Sequence, residues 1–89
     1  MERPVVVALA EGLHARPAAL FVKEAAAQPT PVTIAKRGGE PVEAASILGV
    51  MTLGVDAGDE VVLATADDGD GATASLDALA AFLEQTAVS

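Results

Sequence analysis

Hydrophobic and polar positions along the chain change period several times. Residues 3–9 (RPVVVAL) are β-branched, with a proline only near the start where a strand tolerates it, and read as the first strand. Residues 15–28 are rich in helix formers, and Ala18, Phe21, Val22 and Ala25 recur at helical spacing to give one apolar face. Pro17 then belongs in the first turn, and Pro29 and Pro31 end the helix. In residues 31–36 Val32 and Ile34 alternate with smaller or polar residues, and Gly38-Gly39 offers the positive φ values of a tight hairpin leading into a strand at 40–44. Ser46 is a good N-cap for a short helix, ILGVMTL, which Gly49 weakens and Gly54 stops. Residues 59–66 (DEVVLATA) read as a fourth strand. An acidic turn from Asp67 to Gly71 precedes a long helix striped by Leu76, Leu79, Ala80 and Leu83.

The predicted order is β-α-β-β-α-β-α, an α+β open-faced sandwich in which helices cover one face of a sheet. This pattern does not fix the strand order. With 89 residues the chain reads as a single domain, 1–89, and 20 of its apolar residues are alanine, which leaves a thin core and no deep substrate cavity. The absence of cysteine and the presence of one histidine argue against a disulfide scaffold or a metal site, so neither metal nor cofactor is expected. The longest apolar run, residues 5–10, is too short for a membrane span or a signal peptide, and the reading is a soluble cytoplasmic protein without membrane insertion.

The net charge of −8 argues against nucleic-acid binding, which draws on a basic surface. Its distribution is uneven. All 5 bases lie within residues 1–37, whereas residues 38–89 carry acids and no base. A small anion-tolerant spot around Arg16 and Lys23 is compatible with that layout, although most of the acids need no explanation beyond solubility.

The single histidine lies in Gly12-Leu13-His14-Ala15-Arg16-Pro17-Ala18, where a loop meets a predicted helix start. Unpaired amides and the helix dipole favour an anion there, and the Arg16 fork suits phosphate. The amides of Ala15, Arg16 and Ala18 are the candidate donors, since Pro17 has none. An imidazole is largely neutral at pH 7, so a ring nitrogen can attack phosphorus without a separate base. A solvated loop histidine of no function satisfies the same local physics. Glu11, if it points inward, would oppose the helix dipole by favouring a charged ring or by repelling phosphate, and no carboxylate of the tail beyond Glu84 is assigned to the site.

Two segments resemble the HPr phosphocarrier proteins of the bacterial phosphoenolpyruvate-dependent sugar phosphotransferase system. Residues 12–18 are similar to the family's active-site signature, and residues 46–54 (SILGVMTLG) to its regulatory-serine segment. Their separation and the chain length also match. The resemblance implies an antiparallel sheet of order 1-4-2-3 with three helices on one side. It further implies that His14 accepts a phosphoryl group on Nδ1 from phosphorylated enzyme I and passes it to enzyme IIA domains of sugar permeases. Arg16 would stabilise the phosphate and Pro17 would set the helix start. Ala15, Leu20, Lys23, Ile47, Leu48 and Met51 would form the partner-binding surface, on a monomer that acts as a relay substrate and not as an enzyme.

Ser46 has two readings, a helix cap and a phosphoserine made by a serine kinase, with a transcriptional regulator as a further partner of that form. The alanines before it depart from the lysine that relatives often carry. The alternative within the family is a paralogue relaying phosphate in a nitrogen-related or regulatory branch. Outside it, an acylphosphatase would need an asparagine, and the chain has none. An acyl carrier would need Asp-Ser-Leu on an all-helical chain, and Ala45-Ser46-Ile47 does not fit. A binding module without phosphotransfer remains open at this point.

Overall fold

Alternation along the strands sorts the core side chains onto one face of the sheet. The computed structural model describes residues 1–87, so the last two residues of the expected 1–89 domain lie outside the described residues. The elements are β1 (Glu2–Val6), α1 (Ala15–Ala26), β2 (Thr33–Lys36), β3 (Val42–Glu43), α2 (Ile47–Thr52), β4 (Glu60–Ala64) and α3 (Asp70–Glu84), in the predicted order. The four strands form an antiparallel sheet of order β1-β4-β2-β3. Val5 pairs with Val61, and Ile34 with Leu63, and all four are buried toward the helices.

The helices complete that core. Phe21 and Ala18 on α1 and Leu76, Leu79 and Leu83 on α3 are buried, and Phe21 meets Phe82 edge to face with centroids 5.6 Å apart. Val50 is the fully buried side chain of α2. Arg3 of β1 reaches Asp77 of α3 at 2.7 Å, which ties the edge strand to the last helix. Ser75 is buried on α3, where it donates to the Gly71 carbonyl and accepts from the Thr30 amide.

Three local details differ from the sequence reading. The first strand leaves the ladder after Val6, because Val7, Ala8 and Ala10 instead donate their amides to Asp59, Leu83 and Thr86. Pro4 sits in the middle of β1 and is tolerated because β1 is an edge strand. Of the glycine pair only Gly38 takes a positive φ, +81°, and the Gly39 amide closes the turn onto the Lys36 carbonyl. This is a type II geometry inside a five-residue loop and not a two-residue hairpin. Gly49 also has a different meaning from the one its helix propensity suggests. A Cβ there would lie 3.1 Å from the Val42 Cβ and 3.3 Å from the Ser46 Oγ, so the glycine lets α2 pack closely on β3. No helix among the described residues is long and apolar enough to cross a membrane.

Candidate functional site

The loop before α1 is held by backbone. Gly12 has φ +66°, and a Cβ on it would stand 2.4 Å from the Val55 carbonyl oxygen. The next amide, Leu13 N–H, donates to that same oxygen at 2.9 Å, and the Leu13 side chain is fully buried. Two loops distant in sequence are thereby pressed together, and His14 emerges from one of them.

His14 is the N-cap of α1, with extended backbone and no side-chain capping bond. Its carbonyl accepts the first helical bond, from Ala18 at 3.4 Å. This corrects the donor set expected from the sequence, because the Ala18 amide is spent on the helix. The amides of Ala15 and Arg16 have no partner among the described residues. Ala15 has φ +48°, a left-handed conformation that costs a non-glycine residue about 1–2 kcal/mol. Pro17 is buried in the first turn, where its missing N–H leaves no helical bond unmade.

The imidazole is 47% exposed, and its Nε2 lies 2.7 Å from Asp56 Oδ1. Nδ1 makes no hydrogen bond among the described residues. The sequence reading missed Asp56 and considered Glu11 as the neighbouring charge. Glu11 is exposed and lines a shallow depression of about 110 Å³ with Leu9, Arg16, Pro17 and Thr86, and it forms no ion pair among the described residues. No spacing rule in the sequence points from residue 14 to residue 56. The clue that was available is Gly12 itself, whose required conformation marks a close approach of some other backbone.

Asp56 belongs to a clamped turn. Its amide donates to Asp59 Oδ2 at 2.9 Å, and the Asp59 amide donates to the Asp56 carbonyl at 3.1 Å. Lys36 bonds the Gly54 carbonyl at 3.2 Å and sits 3.5 Å from Asp59 Oδ2. The bond from the Asp56 amide, followed by the Lys36 charge, holds the Asp59 carboxyl below its ordinary value.

Three of the five bases have acidic partners: Arg3 with Asp77, Lys36 with Asp59 and Arg37 with Glu60. Arg16 and Lys23, both exposed on α1, form no ion pair among the described residues. Helix α2 packs against α1 and turns three large apolar side chains outward, Leu48 at 77% exposed, Met51 at 51% and Ile47 at 39%. Leu20 on α1 is half-buried. Ser46 caps α2, its Oγ accepting the Gly49 amide at 3.1 Å. No cluster of metal-ligating side chains occurs among the described residues.

An exposed imidazole at a helix start, open amides, an unpaired arginine and an apolar patch on the adjoining helix together make a site suited to an anionic group next to an exposed apolar surface. Comparison with known proteins identifies the class of protein. The family model for the phosphorylation site of the HPr component of the phosphotransferase system (PTS) matches residues 1–85. The phosphocarrier protein HPr of Streptomyces coelicolor is 54% identical over 94% of this chain and 88% of its own length. The HPr-like protein Crh of Bacillus subtilis is 41% identical over 96% of both chains. A crystal structure of the phosphocarrier protein HPr from Bacillus anthracis superposes with a TM-score of 0.85 at 41% identity, covering 93% of this chain and 95% of that one. The chain belongs to the HPr family of phosphocarriers of the phosphotransferase system.

Proposed function

We propose that His14 is the phosphoryl carrier of this protein, loaded on Nδ1 by phosphorylated enzyme I and unloaded to enzyme IIA domains of sugar permeases. The observation that carries this reading is the state of the ring: exposed, at the start of α1, with Nε2 occupied by Asp56 and Nδ1 without a partner among the described residues. The open amides of Ala15 and Arg16 and the unpaired Arg16 guanidinium are suited to the phosphoryl oxygens.

The protein acts as a relay substrate, each partner supplying the rest of the reaction site. Ala15, Leu20, Lys23, Ile47, Leu48 and Met51 form the surface that both partners use in turn. The exposure of the three α2 side chains supports this, because an apolar patch of that kind on a small domain marks a binding site. Ser46 is a helix cap, and as a phosphoserine it would place negative charge in the same surface.

The test is a reconstituted relay of phosphoenolpyruvate, enzyme I, this protein and a purified IIA domain. Label reaching the IIA domain only when the protein is present, and lost with His14→Ala, is the expected result. Transfer that survives His14→Ala overturns the reading.

A further inference from the structure

Deepening that carrier reading, and resting on it, we infer that Asp56 is a positioning residue for phosphoryl transfer, which selects the His14 tautomer with its proton on Nε2 and compensates the charge the ring gains when Nδ1 attacks phosphorus. A carboxylate accepts hydrogen bonds and does not donate them, so the ring nitrogen 2.7 Å from Asp56 Oδ1 must be the one bearing hydrogen. A neutral imidazole carries one proton. With it on Nε2, the lone pair lies on Nδ1, the nitrogen left without a partner.

The step balances without any proton leaving the ring. The Nδ1 lone pair forms the N–P bond while the bond from phosphorus to the donor's side chain breaks, and its electron pair departs with the donor. The ring is then an imidazolium with hydrogen still on Nε2, one hydrogen bond from Asp56. In the onward step the acceptor's lone pair attacks phosphorus, the N–P pair returns to Nδ1, and the ring is neutral again in its starting tautomer. Asp56 thus opposes the ring charge in the loaded state, as the carboxylate of a hydrolase triad does for its histidine. Its repulsion of the phosphoryl group acts from the far edge of the ring, over a longer and more strongly screened path.

The support beneath Asp56 fits a positioning role better than a chance surface pair. Its amide and carbonyl are both bonded to Asp59, Lys36 fastens Asp59 and the Gly54 carbonyl, and Gly12 and Leu13 lock the histidine loop to Val55. Both partners of the pair are therefore fixed by backbone contacts, although the side chains themselves are open to solvent, at 47% and 73% exposed.

The experiment compares wild type, Asp56→Ala and Asp56→Asn. Imidazole ¹⁵N shifts of His14 give the tautomer ratio of the neutral ring, and single-turnover loading by phosphorylated enzyme I gives the rate. The wild-type ring is expected to be mainly Nε2–H. Asp56→Asn, whose amide can donate to Nε2, moves the ratio toward Nδ1–H. Loading slows about five-fold in Asp56→Ala, the size of effect a solvent-exposed ion pair carries, and further in Asp56→Asn. An unchanged tautomer ratio, or loading at the wild-type rate in both variants, overturns the inference. A failure of the carrier reading looks different: the wild-type protein itself then takes no phosphate, or His14→Ala still does. The tautomer ratio continues to decide the role of Asp56 toward the ring in either case.

Discussion

The α-carbon of Gly12 is pressed so close to the Val55 carbonyl oxygen that a Cβ would come within 2.4 Å of it. The obstacle is backbone on both sides, and φ at Gly12 is +66° besides. This contact positions the loop that carries His14 beside the loop that carries Asp56.

Gly12→Ala is therefore expected to act on stability and on the site together. Backbone overlap and a disfavoured φ place the loss at roughly 2–4 kcal/mol, at the upper end of single substitutions. Urea unfolding reads the stability, and the His14 ring shifts report the separation from Asp56. A variant as stable as wild type removes the claim that this approach holds the site.

Ser46 separates cap from switch. Ser46→Ala removes the acceptor of the Gly49 amide and should cost about 1 kcal/mol by denaturant unfolding. Ser46→Asp restores an acceptor, so stability returns toward wild type while loading by enzyme I slows. Equal loading by Ser46→Asp and wild type would separate this serine from the docking surface.

Leu48 and Met51 stand out from α2 while Val50 anchors it. Leu48→Asp and Met51→Asp should leave the melting temperature within about 2 °C, as surface changes do, yet weaken transfer to and from partners by roughly ten-fold or more. A fall in melting temperature matching the loss of transfer would mean that these side chains belong to the fold.

Acid should loosen the turn beneath the site. The Asp59 carboxyl is held below its ordinary value of 3.8 by the Asp56 amide first, and then by Lys36. A carboxyl depressed in the folded state contributes stability that is complete above the unfolded value and is lost as pH falls through the folded one. The protection factor of the Asp56 amide, its exchange rate corrected for the intrinsic pH dependence, should accordingly fall below about pH 3.8, and Asp59→Asn should show the lower protection already at pH 7. A protection factor that stays constant from pH 5 to pH 2 contradicts this.

Much of this protein was legible because its signals are local. The apolar stripe of α1, the leucines of α3, the Ser46 cap and the sequence around His14 each lie within a few neighbouring residues, where period and capping chemistry act. The misreadings came from contacts between distant segments. Val7, Ala8 and Ala10 satisfy their amides against Asp59, Leu83 and Thr86, which shortens a strand that propensity alone extends. Gly49 reads as a flaw in a helix until Val42 is placed against it. Asp56 is 42 residues from His14 and joins it only after the sheet and both loops are assembled. The exposure of Ile47, Leu48 and Met51 likewise depended on which α2 side chain the core would take, and it took Val50.

As proposed, phosphate travels on one particular atom of this protein, His14 Nδ1. The most direct measurement is ³¹P and ¹⁵N NMR of the ¹⁵N-labelled protein after loading with phosphoenolpyruvate and enzyme I. The predicted result is one acid-labile phosphorus resonance coupled to Nδ1 of His14, with hydrogen retained on Nε2. Phosphorus on Nε2, an acid-stable phosphate on Ser46, or no phosphate on the folded protein would contradict it.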